Sequence, residues 1–207
     1  MFLDILGDRS TRWTILNALV APRPIAWVSS MDAKGHTNLA PFSYFNLLCN
    51  SPPTLIFSCM NPGDRQERDT LANVTATGEF VVNIVSRDLL DAMHATSAPV
   101  PRGVSEFDYA GITPEASVHV RPPRVHGAPA ALECRVLQYL PIPPQRPGEA
   151  GCTAVVGRVL GVHVARELLD ARGRFDSRRA RLMARLGGPQ YAELGEITEL
   201  AAVADPG

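Results

Sequence analysis

The chain lacks a basic excess, a long apolar run and paired cysteines, and each absence removes a class of function. Its 20 Lys+Arg stand against 21 Asp+Glu, a formal net charge of -1. Nucleic-acid binders ordinarily carry a basic face, and anionic membranes call for a polybasic run; neither is present. No stretch approaches the roughly 18 apolar residues of a membrane-spanning helix. The opening MFLDILGDRS has no basic start leading into an apolar stretch, so a secretory signal is not expected and a cytoplasmic location is. Cys49, Cys59, Cys134 and Cys152 form no C-x-x-C pair and have no histidine cluster beside them. They read as four buried thiols in a reducing compartment rather than a zinc site or a disulfide framework. H-E-x-x-H, G-x-S-x-G, the P-loop and the Rossmann G-x-G-x-x-G are all missing. His36, His94, His119, His126 and His163 are dispersed. His163, inside an apolar run, reads as a satisfied core imidazole, and His126, before Gly127, as a turn residue or one facing a ligand.

What remains is a 207-residue chain with 45% hydrophobic residues, enough for one domain with a sizeable core over 1–200 and a flexible tail over 201–207. Runs rich in Val and Ile predict strands at Ile25–Ser30, Thr54–Cys59, Glu79–Val85, Ser117–Val125, Ala131–Tyr139 and Cys152–Val164. The last is long for one strand, and Gly157 and Gly161 are placed to make bulges or a bend. Helices are predicted at Asp69–Thr77, stopped by Gly78, at Ser86–Ala95 with Ser86 as N-cap, and at the basic Arg178–Leu186, stopped by Gly187-Gly188. That last helix is either an ordinary surface helix or a partner-binding one. Proline concentrates in Pro99–Pro101, Pro122-Pro123 and Pro141–Pro147; the third cluster is a loop between strands or a lid over a site. Strands dominate and helices interrupt them irregularly. The fold class is therefore mainly β (α+β), a barrel or sandwich with peripheral helices.

One segment carries chemical content. Ala21–Asn46 reads APRPIAWVSSMDAKGHTNLAPFSYFN. Small residues such as Ala40 let a flat ring approach the backbone, Ser43 and backbone amides can donate to ring nitrogens and carbonyls, and Ser29 and Ser30 can meet a phosphate at a strand end. A mostly apolar surface with a few placed polar groups is what a heteroaromatic ligand needs. A tight hairpin containing a proline would give a similar string. A second cluster, Arg68-Asp69-Thr70-Leu71-Ala72-Asn73, opens a predicted helix. Helix N-termini attract anions, and Arg68 adds a forked cation. Plain capping by Asp69 with a solvated Arg68 is the other reading.

The run Arg23-Pro24-Ile25-Ala26-Trp27-Val28-Ser29-Ser30, with Asp32, Gly35 and Asn38-Leu39-Ala40-Pro41-Phe42-Ser43-Tyr44-Phe45-Asn46, closely resembles the flavin reductase-like family. Asp69-Thr70, Asn73, Thr77-Gly78-Glu79-Phe80-Val81-Val82-Asn83, Ser105-Glu106-Phe107, Ala110-Gly111-Ile112-Thr113, Leu132-Glu133-Cys134 and Arg185-Leu186-Gly187-Gly188 with Tyr191 continue the resemblance in order. The resemblance implies a single FMN-binding split β-barrel domain over 1–200, acting as a homodimer with the flavin near the subunit interface. It implies hydride transfer from NAD(P)H to flavin, with electrons passing to an acceptor or a monooxygenase partner. Its alternatives are a flavin-binding electron carrier with no direct NAD(P)H activity and a flavin-less dimeric binding module. By the same resemblance Trp27, Val28, Ser29 and Ser30 line the flavin. Asn38, Leu39, Ala40, Pro41, Phe42 and Ser43 hold the isoalloxazine, largely through backbone groups. Arg68, Asp69, Thr70 and Asn73 grip the ribityl-phosphate, with Arg68 standing where many relatives have lysine. Tyr191 lies near the site or packs in the core with its hydroxyl satisfied. No catalytic acid or base and no metal are implied.

Overall fold

The computed structural model describes residues 2, 9–61, 68–146 and 148–201, and residues 9–12 by backbone alone. Most of the opening segment, Pro147 of the proline-rich loop and all but the first residue of the 201–207 tail lie outside the described residues.

The chain begins with α1 (Arg9–Leu19), β1 (Arg23–Pro24), β2 (Ala26–Met31), β3 (Thr37–Phe42), β4 (Phe45–Asn50) and β5 (Pro53–Met60). Then come α2 (Asp69–Thr77), β6 (Glu79–Asn83), a 3₁₀ turn (Arg87–Leu89), α3 (Leu90–Ala95) and α4 (Glu106–Tyr109). The second half holds β7 (Pro114–Glu115), β8 (Arg124–Val125), β9 (Ala130–Ile142), β10 (Cys152–Val164), β11 (Met183–Arg185) and β12 (Tyr191–Glu193). α2 stops where expected. Gly78 takes the left-handed conformation, φ 71°, and its N–H closes on the Val74 carbonyl at 2.8 Å.

Seven strands form one antiparallel sheet in the order β3-β2-β6-β9-β10-β5-β4. Its two edge strands, β3 and β4, are joined by Ser43 and Tyr44 alone. A two-residue link spans less than about 12 Å, so the sheet must curl until its edges nearly meet. The result is a split β-barrel, as expected. Its interior is apolar: Val28, Phe57, Phe80, Val82, Cys134 and Val155 are fully or almost fully buried there. A second core of Ile25, Trp27, Leu39, Val85, Met93, Phe107 and Met183 lies on the other face of β2 and β3, covered by α3 and α4. β10 keeps its full predicted length because its register against β9 shifts at Val156/Gly157 and again at Val159/Gly161. Those bulges bend a strand that would otherwise run too straight to stay in a barrel.

Two expected elements are absent. Ser117–Val125 is mostly bends, with pairing only at β8. Its amides are committed elsewhere: the N–H groups of Val118 and His119 donate to the Glu133 carboxylate, at 2.7 and 2.5 Å, and Pro122-Pro123 has none to give. Arg178–Leu186 is not a helix. The Asp176 carboxylate takes the N–H groups of Arg178 and Arg179, Arg181 turns at φ 48°, and Met183–Arg185 pairs with both β1 and β12. Tertiary pairing overrides helix propensity there. α1, β1, β3, β4, α4, β7, β11 and β12 have no counterpart among the expected elements. Nor are all four thiols buried: Cys49 is exposed and Cys152 half-buried.

Candidate functional site

β3 turns one part of its length toward an open cavity of about 480 Å³. That volume is within the roughly 300–1,000 Å³ of small-molecule sites. Asn38, Ala40, Pro41, Phe42 and Ser43 form one wall, and Arg68, Asp69 and Thr70 at the start of α2 form one end. The two sequence clusters, remote along the chain, therefore meet. The facing wall is Thr96–Val100, the stretch after α3, with Ser58 and Met60 of β5, Tyr44 and the buried Glu106 completing the lining.

Each polar group at the α2 end has a defined state. Arg68 is the N-cap residue, in extended conformation, and its side chain does not cap the helix. Its Nε donates to the Met60 carbonyl at 3.3 Å, and its two terminal nitrogens have no partner among the described residues. Asp69 is the first helical residue rather than the cap, and Arg102 Nε holds its carboxylate at 2.7 Å. Thr70 Oγ1 accepts from Asn38 Nδ2 at 2.9 Å, so the hydroxyl keeps its own hydrogen to donate. That bond ties β3 to α2 inside a buried pair. Nearby, burial pushes the Cys59 thiol up to about 12 against the opposing charge of Arg68, which keeps it neutral and chemically quiet.

A helix start leaves its first-turn N–H groups without intrahelical acceptors and carries the positive end of the helix dipole. With Arg68 and Thr70 beside it, this end suits a phosphate. The β3 wall suits a flat ring, since Ala40 and Pro41 present little side chain and the Ser43 hydroxyl has no partner among the described residues. The donor set therefore fits a flavin mononucleotide: an apolar slot closing on an anion-binding end.

The other expected site residues stand behind this wall. Trp27, Val28, Ser29, Ser30 and Leu39 are fully buried. Trp27 Nε1 donates to Thr96 Oγ1 at 2.9 Å, which anchors the facing wall. Ser29 Oγ donates to the Pro123 carbonyl, and Ser30 Oγ accepts from Asn73 Nδ2 at 3.2 Å. The Leu39 N–H donates to Glu106 Oε2 at 2.9 Å. These residues hold the cavity in shape without lining it. Asn73 faces a neighbouring cavity. Tyr191 packs against the second core, accepts a hydrogen bond from Arg185 Nη1 and lies under the Arg185 guanidinium, 4.5 Å from ring centroid to Cζ. His126 pairs with Glu115 at 2.5 Å, away from the cavity. His163 Nε2 meets the buried Glu133 at 2.5 Å, so the imidazole is satisfied as expected, but it is half-buried rather than in the core.

Thr96–Val100 and Glu106 also line the cavity and are not among the expected site residues. Pro99–Pro101 predicts a loop there and Ser105-Glu106-Phe107 belongs to the family resemblance, but nothing local places this stretch in one cavity with β3.

The model of the flavin reductase like domain matches residues 19–179, well over half of the chain. An uncharacterized protein of Aquifex aeolicus is 37% identical over 90% of this chain and 91% of its own length. Among solved structures, nitrilotriacetate monooxygenase component B from Bacillus cereus is 31% identical, with a TM-score of 0.90 over 97% of this chain and 98% of the other. The 2-nitrobenzoate 2-nitroreductase NbaA of Pseudomonas fluorescens is 25% identical, with a TM-score of 0.85 over the whole of both chains.

Proposed function

Because the chain belongs to the flavin reductase-like family, we propose that it is an FMN-binding oxidoreductase that uses NAD(P)H and hands the electrons to an acceptor or partner protein. The observation that carries the reading is the meeting of the β3 wall with the α2 end in one cavity. Bound FMN would supply the redox chemistry, as a two-electron acceptor for hydride from the nicotinamide and a donor to the next acceptor. The chain's own residues bind, orient and shield. Arg68 and Thr70 donate to the phosphate, and the backbone of Asn38–Ser43 sets the ring's position. The Asn38–Thr70 bond fixes the distance between these two grips. Ala98, Pro99 and Val100 exclude water from the facing side. No side chain has to move a proton for hydride transfer.

The homodimer belongs to this proposal. β4 is an edge strand, and its Leu47 and Leu48 are 49% and 53% exposed. Leu137, Leu140 and Ile142 of β9 are also exposed. An open edge beside apolar side chains invites an isologous contact. A monooxygenase component as electron acceptor is supported by the 31% identical component B.

The test is spectroscopic. Purified protein titrated with FMN should quench its fluorescence and take on the yellow of a bound flavin. NADH or NADPH should then be consumed, read as loss of nicotinamide absorbance. A colourless protein that leaves FMN fluorescence unchanged would sink the flavin reading. Bound FMN with neither nucleotide consumed would sink the NAD(P)H step alone.

A further inference from the structure

Arg23, the first residue of β1, is buried, with 8% of its surface exposed. Its guanidinium holds three backbone carbonyls: Nη1 donates to those of Asn17 and Val20 at 2.6 Å each, and Nη2 to that of Leu186 at 2.9 Å. These bonds cap the end of α1 and tie it to the residue after β11. They do not neutralise the charge. No carboxylate pairs with Arg23 among the described residues, and its Nε is the one buried side-chain nitrogen or oxygen among them without a hydrogen-bond partner. The C-terminal turn of α1, worth about half a negative charge, offsets part of the cation and leaves the rest. Burying a charge without a counter-charge is costly, and a neutral amide could donate to carbonyls without that cost. The surplus charge therefore points to a second role.

Its surroundings say where the charge is felt. Arg23 Cζ lies over the ring of Tyr44, 5.8 Å from the centroid, and Tyr44 lines the first cavity, the one formed by β3 and the start of α2, next to Phe42 and Ser43. This is the ring part of the proposed site, not the phosphate end at Arg68 and Thr70. Arg23 is not in the lining and touches no reacting atom. It acts by its field through a protein interior, where water and salt screen weakly.

We propose that Arg23 raises the reduction potential of the bound flavin by stabilising the reduced ring. This rests on the flavin reading above. A hydride brings two electrons and one proton to a neutral oxidised ring, so the ring gains one negative charge and the nicotinamide leaves with one positive charge. A fixed cation near the ring favours that product and leaves the neutral oxidised ring almost unaffected.

The experiment measures the midpoint potential of FMN bound to wild type, Arg23→Met, Arg23→Lys and Asn17→Asp against reference dyes at neutral pH, with urea unfolding of each protein alongside. Arg23→Met removes the charge. Arg23→Lys keeps the charge but not the fork that holds three carbonyls. Asn17→Asp leaves Arg23 in place and sets a carboxylate on a residue whose carbonyl it already holds, while keeping an acceptor for the Tyr44 hydroxyl, which donates to Asn17 Oδ1 at 3.0 Å. Both Arg23 variants should lose stability, because both lose carbonyl bonds. The potential should follow charge instead. In Arg23→Met and Asn17→Asp, reduced FMN should bind about three- to tenfold more weakly relative to oxidised FMN, a fall of roughly 15–30 mV for a two-electron couple. Arg23→Lys should keep the wild-type ratio. Potentials unchanged or raised in the first two variants would overturn the inference. So would a fall in Arg23→Lys equal to that in Arg23→Met, since the effect would then belong to the carbonyl bonds. Should Arg23→Met not fold, Asn17→Asp decides. A wild type that binds no FMN overturns the flavin reading and this inference with it; a wild type that binds FMN at a potential indifferent to these charges overturns this inference alone.

Discussion

Replacing Gly157 by alanine should loosen the barrel and blunt the cavity together. A Cβ on Gly157 would lie 2.4 Å from Phe80 Cζ and 2.9 Å from Phe80 Cε1. Carbon atoms rest about 3.5–4.0 Å apart, so the ring must retreat by roughly 1 Å. Phe80 is fully buried, and its ring meets Phe57 at 5.2 Å between centroids in an edge-on contact. Phe57 in turn meets Phe42 at 5.3 Å, and Phe42 lines the first cavity. The backbone at Gly157 is not in the left-handed region, so the obstacle is the ring alone. Overpacking of this kind costs about 1–3 kcal/mol. Alanine's lower freedom in the unfolded chain returns about 0.4–1 kcal/mol. The net loss should be about 1–2 kcal/mol, or very roughly 2–8 °C in Tm for a chain of this size. Thermal and urea unfolding measure the first effect, and FMN titration of the same samples measures the second. Phe80→Leu, which removes the ring edge, should recover part of the loss in a double-mutant cycle. No loss of stability from Gly157→Ala, or a loss that Phe80→Leu does not recover, would refute the aromatic relay.

Further tests address the site and the frame. Arg68→Ala should weaken FMN by about 1.5–3 kcal/mol, some ten- to hundredfold, and leave riboflavin, which lacks the phosphate, nearly unchanged in parallel titrations. Thr70→Val strands the buried Asn38 amide and should cost about 1–3 kcal/mol of stability by urea unfolding. Glu133 gives a pH signature. Burial pushes its carboxyl up, but the bonds from His163 and from the Val118 and His119 amides outweigh this, and the net direction is down from the ordinary 4.5. A depressed carboxyl stabilises fully above its unfolded value and loses that contribution as pH falls through its folded value. The stability gap between wild type and Glu133→Gln should therefore be constant above about pH 5.5 and shrink below about pH 4.5 in urea midpoints.

The sequence was most legible where local pattern and tertiary demand agree. Cys152–Val164 read as one long strand with glycine bulges because five valines recur among residues the pleat tolerates, and the bulges fall at both glycines. Asp69–Thr77 ends at Gly78 for a reason local to four residues. Legibility failed where a distant group decides. Glu133, near the start of β9, removes Val118 and His119 from strand pairing, and β1 and β12 claim Met183–Arg185 from a helix. β3 hid behind Pro41, which reads as a breaker but lies on a sheet edge, where a missing N–H costs nothing. For the site, Asn38, Ala40–Ser43 and Arg68–Thr70 converge on one cavity. Trp27–Ser30 stands behind its wall, because the alternation of β2 buries both of its faces in a barrel flanked by a second core.

The Ser43–Tyr44 link has a mechanical meaning. It is the only covalent tie between the wall of the cavity and β4, whose outer side is apolar and open. Tyr44 also reaches the other way, donating from its hydroxyl to Asn17 Oδ1 at 3.0 Å and so holding α1 to the same hinge point. A second copy settling on β4 would stiffen the strand that ends where the ring site begins. Stiffening is reciprocal: if association tightens flavin binding by some factor, flavin must tighten association by the same factor. Dilution should then lower apparent affinity for the cofactor, and added cofactor should slow the falling apart of the pair.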